Sequence, residues 1–426
     1  MNERKGITQM SDGLFNGITV IELGHVIAAP FAASLLADFG ATVIKVEDPG
    51  VGDMMRLTGP TKDGFHLWWK AVARNKTSVT IDLRSAEGQA LVKRMVKKAD
   101  VVIENFRPGT LERWNLDWER LKVINPRLIM LRISGYGQIG PEAHKPGYGR
   151  VGEALSGAVH ITGHPDKPPT HFGFSLGDLS TGLMGAFSIS AALFKRERLG
   201  AAFPGECIDL ALYETLYRCI DWQIPLYDQL GFIGERAGNA YPVGPSPISD
   251  TYQTSDGVWV TVATATTRSV HNLLELIGGS NLKEDKKFAT HELLMKHKDE
   301  LGQLVSEWIG RNALAMVLES CSAASVVAAP VFTPREMMSN ETFRLRENIV
   351  TVDDPELGAI RMGGVVPRLR SFPGSVRSSG PALGEGNRRV FIDWLGLTED
   401  DYLALAAGGI VDSGEERARQ TAPSAG

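Results

Sequence analysis

Cysteine is scarce in this sequence. The three cysteines, Cys207, Cys219 and Cys321, are widely separated along the chain. They form no C-x-x-C pair, and no histidine accompanies them at the spacing of a zinc site. The nine histidines are equally scattered. We therefore expect reduced cysteines that pack in the interior, neither a disulfide framework nor a metal site, and we assign no metal ligand.

The sequence also has no excess of positive charge. It contains 45 Lys and Arg residues and 50 Asp and Glu residues, which gives a formal net charge of −5. Such a chain supplies no field that attracts a nucleic-acid backbone or an anionic membrane. A long apolar run is missing too, since residues 26–36 are interrupted by Pro30 and residues 1–13 are polar. We expect no nucleic-acid partner, no membrane contact and a cytoplasmic location.

The glycine fingerprints of dinucleotide and triphosphate sites are absent, although strand-like and helix-like segments alternate. β-branched runs at residues 19–23 and 42–46 flank a helix predicted over residues 31–39. Ser85 is a plausible N-cap for a helix with one apolar face. Further strands are predicted at residues 78–83, 101–103, 128–133 and 206–210. The alternation predicts an α/β fold with a Rossmann-like, doubly wound parallel sheet.

A chain of 426 residues is long for a single core, and its texture changes along the sequence. Gly, Pro and Ser crowd residues 234–249, and beyond them a strand is predicted at 259–263 and a largely helical stretch to about 322. We predict four segments. They are a large domain over residues 1–225, a smaller α+β domain over 226–330, a linker and C-terminal part returning to the large domain over 331–411, and a disordered tail over 412–426.

Asp178 stands in a glycine-bearing peptide, residues 173–182, just before an apolar helix predicted to run to about residue 198. The simplest interpretation of its position is an N-cap. The same geometry suits a nucleophile, because backbone N–H groups and the helix dipole keep a carboxylate ionised and glycines let a substrate approach. Position alone does not decide between the two.

The turn Asn105-Phe106-Arg107 follows a predicted strand, and Arg113 lies a little further on. Open α/β sheets bind ligands at this edge, where arginines suit phosphates and an exposed aromatic ring suits a purine. A second loop, residues 134–141, is rich in small residues and also follows a strand. A nucleotide-like ligand and a solvated surface loop explain these features about equally well.

Taken together and in order, several short stretches resemble those of the class III coenzyme A (CoA) transferases, the family of formyl-CoA and carnitine CoA transferases. The similarity extends from residue 17 to about residue 405. The matching stretches are residues 40–47, 75–78, 99–109, 125–127, 134–138, 177–178 and 383–385.

The resemblance implies that Asp178 is the catalytic nucleophile, which is acylated and then carries CoA as an aspartyl thioester. It implies CoA contacts at four strand ends and at Arg113, with CoA and acyl-CoA as substrates and no tightly bound cofactor. The implied contacts are His25, Ile27, Ala28, Ile81, Asp82, Leu83, Arg84, Asn105, Phe106, Arg107, Arg113, Ser134, Gly135, Tyr136 and Gly137.

The sequence departs from formyl-CoA transferase where Ile27 replaces a glutamine, Asp48 an arginine and Ser134 a lysine, and the tetraglycine loop is missing. Tyr241 stands where many relatives have histidine. Oxalate and formate are therefore not expected as acceptors. We expect succinyl-CoA as the donor and a dicarboxylic or aryl-substituted acid, such as benzylsuccinate, malate or mesaconate, as the acceptor.

Two alternatives stay open. An α-methylacyl-CoA racemase resembles this chain, but racemases carry G-H-D where Gly147-Tyr148-Gly149 stands here, so the expected base is missing. A non-catalytic subunit that only binds acyl-CoA is the other alternative, and Asp178 argues against it. The resemblance also implies an interlocked, ring-shaped dimer, formed with an identical chain or with a related subunit.

Overall fold

The structure, a computed structural model, describes residues 13–240, 243 and 246–413. It divides into two compact units, of which the first comprises Met1–Ser156, Phe172–Cys219 and Thr342–Gly426 and the second Gly157–His171 and Ile220–Glu341. The division predicted from the sequence, with boundaries at residues 225 and 330, stays a prediction. Most of the predicted tail, from residue 414 onward, lies outside the described residues.

The strands of the described residues, in chain order, are β1 (Thr19–Glu22), β2 (Thr42–Glu47), β3 (Thr61–Lys62), β4 (Phe65–His66), β5 (Lys76–Thr80), β6 (Val101–Glu104), β7 (Ile129–Ser134), β8 (Glu206–Ala211), β9 (Ser249–Gln253), β10 (Trp259–Ala263), β11 (Val327–Pro330), β12 (Ile349–Asp354) and β13 (Gly358–Gly363).

The α-helices of the described residues are α1 (Ala28–Asp38), α2 (Leu67–Val72), α3 (Ala86–Val96), α4 (Thr110–Arg113), α5 (Trp118–Ile124), α6 (Gly149–Leu155), α7 (Leu176–Leu199), α8 (Glu214–Cys219), α9 (Gln223–Leu230), α10 (Thr267–Lys283), α11 (His291–Lys296), α12 (Lys298–Arg311), α13 (Leu314–Ala323), α14 (Pro334–Ser339), α15 (Glu341–Leu345) and α16 (Glu399–Ala407). A π-helix spans Arg389–Trp394.

The first unit is organised around a six-stranded sheet with the order β5-β2-β1-β6-β7-β8, and every neighbouring pair is parallel. Successive residues of a strand enter different cores: Ile21 and Val102 pack on one face, Val20 and Val101 on the other. Helices cover both faces, which is why the strands read as continuous apolar runs. The predicted α/β class with a parallel sheet is confirmed.

Several predicted boundaries are shifted. Strand β5 ends at Thr80, so residues 81–83 are loop rather than strand, and α1 begins at Ala28, three residues earlier than predicted. Ser85 is the N-cap of α3, and its hydroxyl accepts a hydrogen bond from the Gly88 N–H at 3.0 Å. The hairpin β12–β13 and helix α16 were not predicted, and around the hairpin glycine and proline recur in the sequence, which indicated an extended region instead.

The second unit has a three-stranded antiparallel sheet, with the order β11-β10-β9, and a helical layer. Its core joins Val260 and Val262 of β10 to Leu273 of α10 and Val305 of α12. Strand β10 and the helices α10 to α13 lie where the sequence predicted a strand and a helical stretch.

Helix α7 with its following turn, residues 176–202, is long and apolar enough to cross a membrane by length and composition alone. Half of its most apolar stretch is buried inside the fold. The core helix of a globular protein has the same properties, so this helix is weak evidence for membrane insertion.

Candidate active site

Apart from Arg113, the predicted ligand contacts lie at the carboxyl ends of four strands of the six-stranded sheet, of which β1, β6 and β7 are adjacent and β5 is separated from β1 by β2. Residues 25–28 follow β1, residues 81–84 follow β5, residues 105–107 follow β6, and residues 135–137 follow β7, of which Ser134 is the last residue. Strand order reverses between β1 and β6, because the chain moves from β1 outward to β2 and β5 and only later to the other side. A doubly wound sheet opens a crevice at such a switch point.

The first loop is held by its neighbour across this switch point. The Asn105 amide donates to the His25 carbonyl at 2.8 Å and accepts from the His25 N–H at 2.8 Å. Val26, between His25 and Ile27, has a positive φ of 67°, which is strained for a β-branched residue. Its N–H donates to both carboxylate oxygens of Asp53, at 3.1 and 3.2 Å. Backbone strain of this kind persists only where the surroundings fix it, and it clusters at functional sites.

A buried charge cluster lies beneath this loop. Lys45 contacts Glu22 and Asp53 at 2.8 Å each and donates to the Gly24 carbonyl at 2.9 Å, and Lys76 contacts the other Glu22 oxygen at 2.7 Å. Burial by itself would raise the pKa of Asp53, but the charge of Lys45 lowers it below its usual value. Burial alone would lower the pKa of Lys45, and Glu22 and Asp53 raise it instead. Lys45 and Asp53 are therefore both stabilised in their charged forms, and the ion pairs of the cluster fix the loop.

The loop and its neighbours enclose a cavity of about 240 Å³. Five predicted contacts line it, namely His25, Ile81, Leu83, Arg84 and Phe106. Its lining also includes Trp114, which the sequence analysis missed although it follows Arg113 directly.

The ring of Phe106 stands edge-on between His25, at 5.4 Å, and Trp114, at 5.1 Å. Phe106 is half-buried, so the exposed aromatic expected from the sequence is wrong. Burial first, and then the charge of Lys45, lowers the pKa of His25, so its imidazole is neutral at pH 7. The three rings form an apolar wall suited to a planar ligand.

The three predicted arginines are exposed to solvent, and of the three Arg84 lines the cavity while Arg107 and Arg113 do not. Arg84 is 62% exposed and pairs with Asp48 at 2.6 Å and with Asp82 at 2.7 Å. Arg107 and Arg113 are exposed, and Arg113 donates to the Thr110 hydroxyl at 3.1 Å. Their guanidinium groups are accessible to phosphates from solvent, although a ligand at Arg84 has to compete with two carboxylates.

The loop after β7 approaches the chain near α6 closely. A Cβ at Gly135 would lie 2.8 Å from the Gly147 Cα, so both positions require glycine. The buried hydroxyl of Ser134 has no hydrogen-bond partner among the described residues. Neither Ser134 nor residues 135–137 line the cavity beneath the first loop or the one beside α7, and Tyr241 lies outside the described residues.

Asp178 lies in the first turn of α7, but it does not cap that helix. The N-cap is Ser175, three residues earlier, so the N-cap interpretation is wrong. Burial first, and then the negative charge of Glu153, raises the pKa of Asp178 to about 6. No group among the described residues lowers it by hydrogen bonding. The expectation that N–H groups hold the carboxylate ionised is therefore corrected: it is unpaired and retains a raised affinity for its proton.

Two glycines make room for this carboxylate. A Cβ at Gly149 would lie 2.2 Å from the Asp178 Oδ2, and one at Gly177 would lie 2.6 Å from the Gly149 carbonyl oxygen. Glu153, on the same helix as Gly149 and fully buried, accepts a hydrogen bond from the Gly177 N–H at 3.2 Å. The Asp178 carboxylate therefore lies against the backbone of Gly149, where no side chain intervenes. From the sequence, Gly149 was named only as the last residue of Gly147-Tyr148-Gly149, and its role in making room for the Asp178 carboxylate was not recognised.

A second cavity, of about 580 Å³, opens beside the first turn of α7. It brings Ile27, which stands where formyl-CoA transferase has a glutamine, together with Leu179, which follows Asp178. Its lining residues are Ile27, Phe31, Trp68, Val72, Arg150, Gly173, Phe174, Ser175 and Leu179. Of these, Arg150 carries the charge. The arrangement is an apolar pocket with one cation. Asp178 does not line it, but Ser175, the N-cap of α7, and Leu179, in its first turn, lie on either side of Asp178 in the chain and do line it.

Comparisons with known proteins agree with this architecture. A family model described as CoA-transferase family III matches residues 15–387. The succinyl-CoA–D-citramalate CoA-transferase of Chloroflexus aurantiacus is 46% identical over 92% of this chain and 97% of that protein. The beta subunit of succinyl-CoA–L-malate CoA-transferase, from the same organism, is 40% identical over 93% and 97%. A crystal structure of a CAIB/BAIF family protein from Brucella suis has a TM-score of 0.79 at 32% identity, covering 90% of this chain and 99% of that one.

Proposed function

The chain belongs to CoA-transferase family III, and from that premise we propose that it moves CoA from succinyl-CoA to a second dicarboxylic acid through Asp178. The observation that carries the proposal is the unpaired Asp178 carboxylate, with its pKa of about 6, beside an apolar pocket with a single cation. The names of two relatives, which use succinyl-CoA with citramalate or malate, support this substrate class.

The proposed chemistry begins with attack of the Asp178 carboxylate on the donor thioester carbonyl, which expels the CoA thiolate and leaves a mixed anhydride. The thiolate then attacks the Asp178 carbonyl carbon and displaces the donor acid, giving an aspartyl-CoA thioester. The acceptor carboxylate attacks this thioester, and the released thiolate attacks the acceptor carbonyl of the new anhydride. The products are the acceptor thioester and free Asp178, and no water or ATP is consumed.

The electrostatics of Asp178 suit this role. With a pKa of about 6 the carboxylate is mostly ionised at pH 7.5, yet it is more basic than an ordinary aspartate and accepts no stabilising hydrogen bond from the described residues. Nucleophilicity rises with basicity, so burial and Glu153 activate the attacking group.

CoA itself is proposed to lie along the carboxyl edge of the sheet, with its adenine end in the cavity of about 240 Å³ and its phosphates near Arg84, Arg107 and Arg113. Two features near the carboxyl ends of the strands support this placement. They are the aromatic rings that line the cavity and the exposed arginines. Ser134, with its unpartnered buried hydroxyl, and residues 135–137 would flank the thioester end.

The racemase alternative has a specific observation against it. A racemase of this superfamily carries an aspartate at position 149, and here a Cβ at that position would lie 2.2 Å from the Asp178 Oδ2, so the carboxylate would have to leave its present position. Tyr148, which replaces the histidine base, is 68% exposed. If the protein rapidly exchanged the α-proton of a 2-methylacyl-CoA in deuterated water, without any free acid present, the racemase alternative would be favoured instead.

An interlocked dimer stays part of the proposal. In the single chain α7 exposes three large apolar side chains, Leu183, Phe187 and Phe194, each more than half exposed. An apolar surface of this kind is what a permanent partner covers. The partner is an identical chain or a related subunit, and the beta-subunit relative makes both reasonable. A stable folded monomer in light scattering on dilution, with the chain expressed alone, would reject the dimer. A cytoplasmic location stays a prediction.

Covalent trapping tests the central proposal. The protein is incubated with succinyl-CoA, treated with hydroxylamine or borohydride, and digested for mass spectrometry. We expect a hydroxamate or reduced residue at Asp178 in the wild type and none in Asp178→Asn, with the modification abolished by omitting succinyl-CoA. Modification at another residue, or full turnover by Asp178→Asn under conditions that exclude deamidation, would contradict the mechanism.

A further inference from the structure

Arg150 is a cation that the proposed transfer chemistry does not use. It follows Gly149, whose Cβ position lies against the Asp178 carboxylate, and its side chain lines the cavity of about 580 Å³. The other lining residues are apolar or small. Because the side chain is 55% exposed, its guanidinium is hydrated in the free protein, and a ligand that covers it has to supply an anion in place of that water.

The contacts of Arg150 leave its donors available. Among the described residues, its ion-pair contact is Nη1 to the Glu153 Oε2 at 3.6 Å, which is too long for a hydrogen bond. Its side chain is 55% exposed, while Glu153 is fully buried and its other oxygen already accepts from Gly177. Glu153 therefore attracts the guanidinium without forming a hydrogen bond to it at this contact, and Arg150 keeps donors that a ligand in the cavity can reach.

The substrates of the proposed reaction present a matching anion. Succinyl-CoA, and any dicarboxylic acceptor, carries a second carboxylate that takes no part in the exchange and enters the pocket beside the reacting one. In a pocket walled by Ile27, Phe31 and Trp68 that carboxylate would be desolvated without compensation. A guanidinium binds a carboxylate through two parallel hydrogen bonds, which fixes both position and orientation.

We propose that Arg150 binds the non-reacting carboxylate of both the donor and the acceptor acid, and so selects dicarboxylic over monocarboxylic substrates. This inference rests on the proposed function, because it needs a substrate acyl group bound at Asp178. One anchor serves both half-reactions, since donor and acceptor occupy the same pocket in turn. The apolar wall then fits the carbon chain between the two carboxylates.

Isotope exchange tests the inference without knowledge of the natural acceptor. Succinyl-CoA is mixed with labelled succinate, and butyryl-CoA with labelled butyrate, which is succinate with the distal carboxylate replaced by a methyl group. We expect Arg150→Gln to lower kcat/KM for succinate exchange by roughly 10²-fold, mainly through KM, and to change butyrate exchange by less than about threefold. Arg150→Lys should keep part of the preference, because it keeps the charge without the fork.

The matched control is Arg311→Gln, which removes the same charge from an exposed position on α12 in the second unit and should leave both exchanges unchanged. An equal loss for succinate and butyrate in Arg150→Gln, or no loss, overturns the anchor.

Failure of the proposed function gives a different signature, namely no succinate exchange by the wild type. The anchor is then judged by thermal shift with succinate and butyrate alone. Stabilisation of the wild type by succinate, lost in Arg150→Gln, supports it, and equal stabilisation of both proteins overturns it.

Discussion

Two carboxylates in the first unit, Asp53 beneath the first loop and Asp178 at the start of α7, are treated in opposite ways. Asp53 is 1% exposed and ionised, because Lys45 and the backbone N–H groups of Val26 and Met55 stabilise its charge. Asp178 is less deeply buried, but it has no such partner among the described residues, and its pKa rises to about 6. Burial is therefore common to both, and the difference lies in compensation.

The difference separates a scaffold from a reactive group. A carboxylate satisfied by an ion pair and hydrogen bonds is a weak nucleophile, and it fixes the backbone around it. A carboxylate left unpaired is less stable in the folded chain but more reactive. We therefore expect substitutions around Asp178 to change mainly activity and substitutions around Asp53 to change mainly stability. The substitutions that test this contrast are taken in order of decreasing expected effect.

Removing the nucleophile should have the largest effect. Asp178→Asn is expected to lower turnover by roughly 10³-fold or more, because the covalent route is lost. Steady-state exchange of labelled succinate with succinyl-CoA measures the loss.

The same substitution should stabilise the fold at alkaline pH. The pKa of Asp178 is about 6 in the folded chain against 3.8 for an unperturbed aspartate. Its contribution to stability is therefore full below about pH 4 and is lost as the pH rises through 6. At pH 8 the asparagine variant should gain on the order of 2 kcal/mol and melt at a higher temperature, with no gain at pH 4. A lower melting temperature at pH 8 would contradict the absence of compensation.

Breaking the scaffold should change stability instead. Lys45→Met leaves the buried carboxylates of Glu22 and Asp53 with less compensating charge and should lower the free energy of unfolding by about 3–5 kcal/mol. Chemical denaturation measures this. The control Lys145→Met removes an exposed lysine paired with Glu142 and should change stability by less than about 0.5 kcal/mol. Similar losses in both variants would show that the buried cluster has no special role.

Filling the space beneath the nucleophile should affect activity more than stability. In Gly149→Ala the new Cβ would lie 2.2 Å from the Asp178 Oδ2, the mobile end of a side chain, so the carboxylate rotates away. We expect a loss of about 10²-fold in turnover, with the melting temperature within a few degrees of the wild type. Gly302→Ala, where a Cβ meets no atom within 4 Å, is the control and should leave turnover unchanged. A fully active Gly149→Ala enzyme would contradict the geometry.

The smallest effect should come from the neighbouring charge. Glu153→Gln removes the second cause of the raised pKa of Asp178 but keeps an oxygen that accepts from the Gly177 N–H. The pKa of Asp178 should fall while burial continues to hold it above 3.8, so the acid limb of the pH–rate profile should move from about 6 to lower pH. Glu142→Gln, an exposed position, should leave the limb in place. A shift to higher pH would show that Glu153 acts in another way.

Local patterns in the sequence predicted the parallel α/β sheet, the Ser85 cap and the face of α3, because strand periodicity, capping and amphipathicity depend on residues close in the chain. Family motifs pointed to Asp178 and to the strand-end loops, and the strand order brings those loops to one edge. Boundaries were less certain, as at Thr80, where β5 ends before the apolar residues do.

Tertiary structure alone decided the chemistry of the site. The raised pKa of Asp178 depends on Glu153, 25 positions earlier, and the space for its carboxylate depends on Gly149. The rigidity of the first loop depends on Asp53 and Asn105, 27 and 80 positions from the residues they bind. Burial and charge pairing are set by distances in space, and a linear pattern does not contain those distances. The sequence therefore determined which groups are present, and the fold decided which carboxylate is neutralised by a partner and which is left to react.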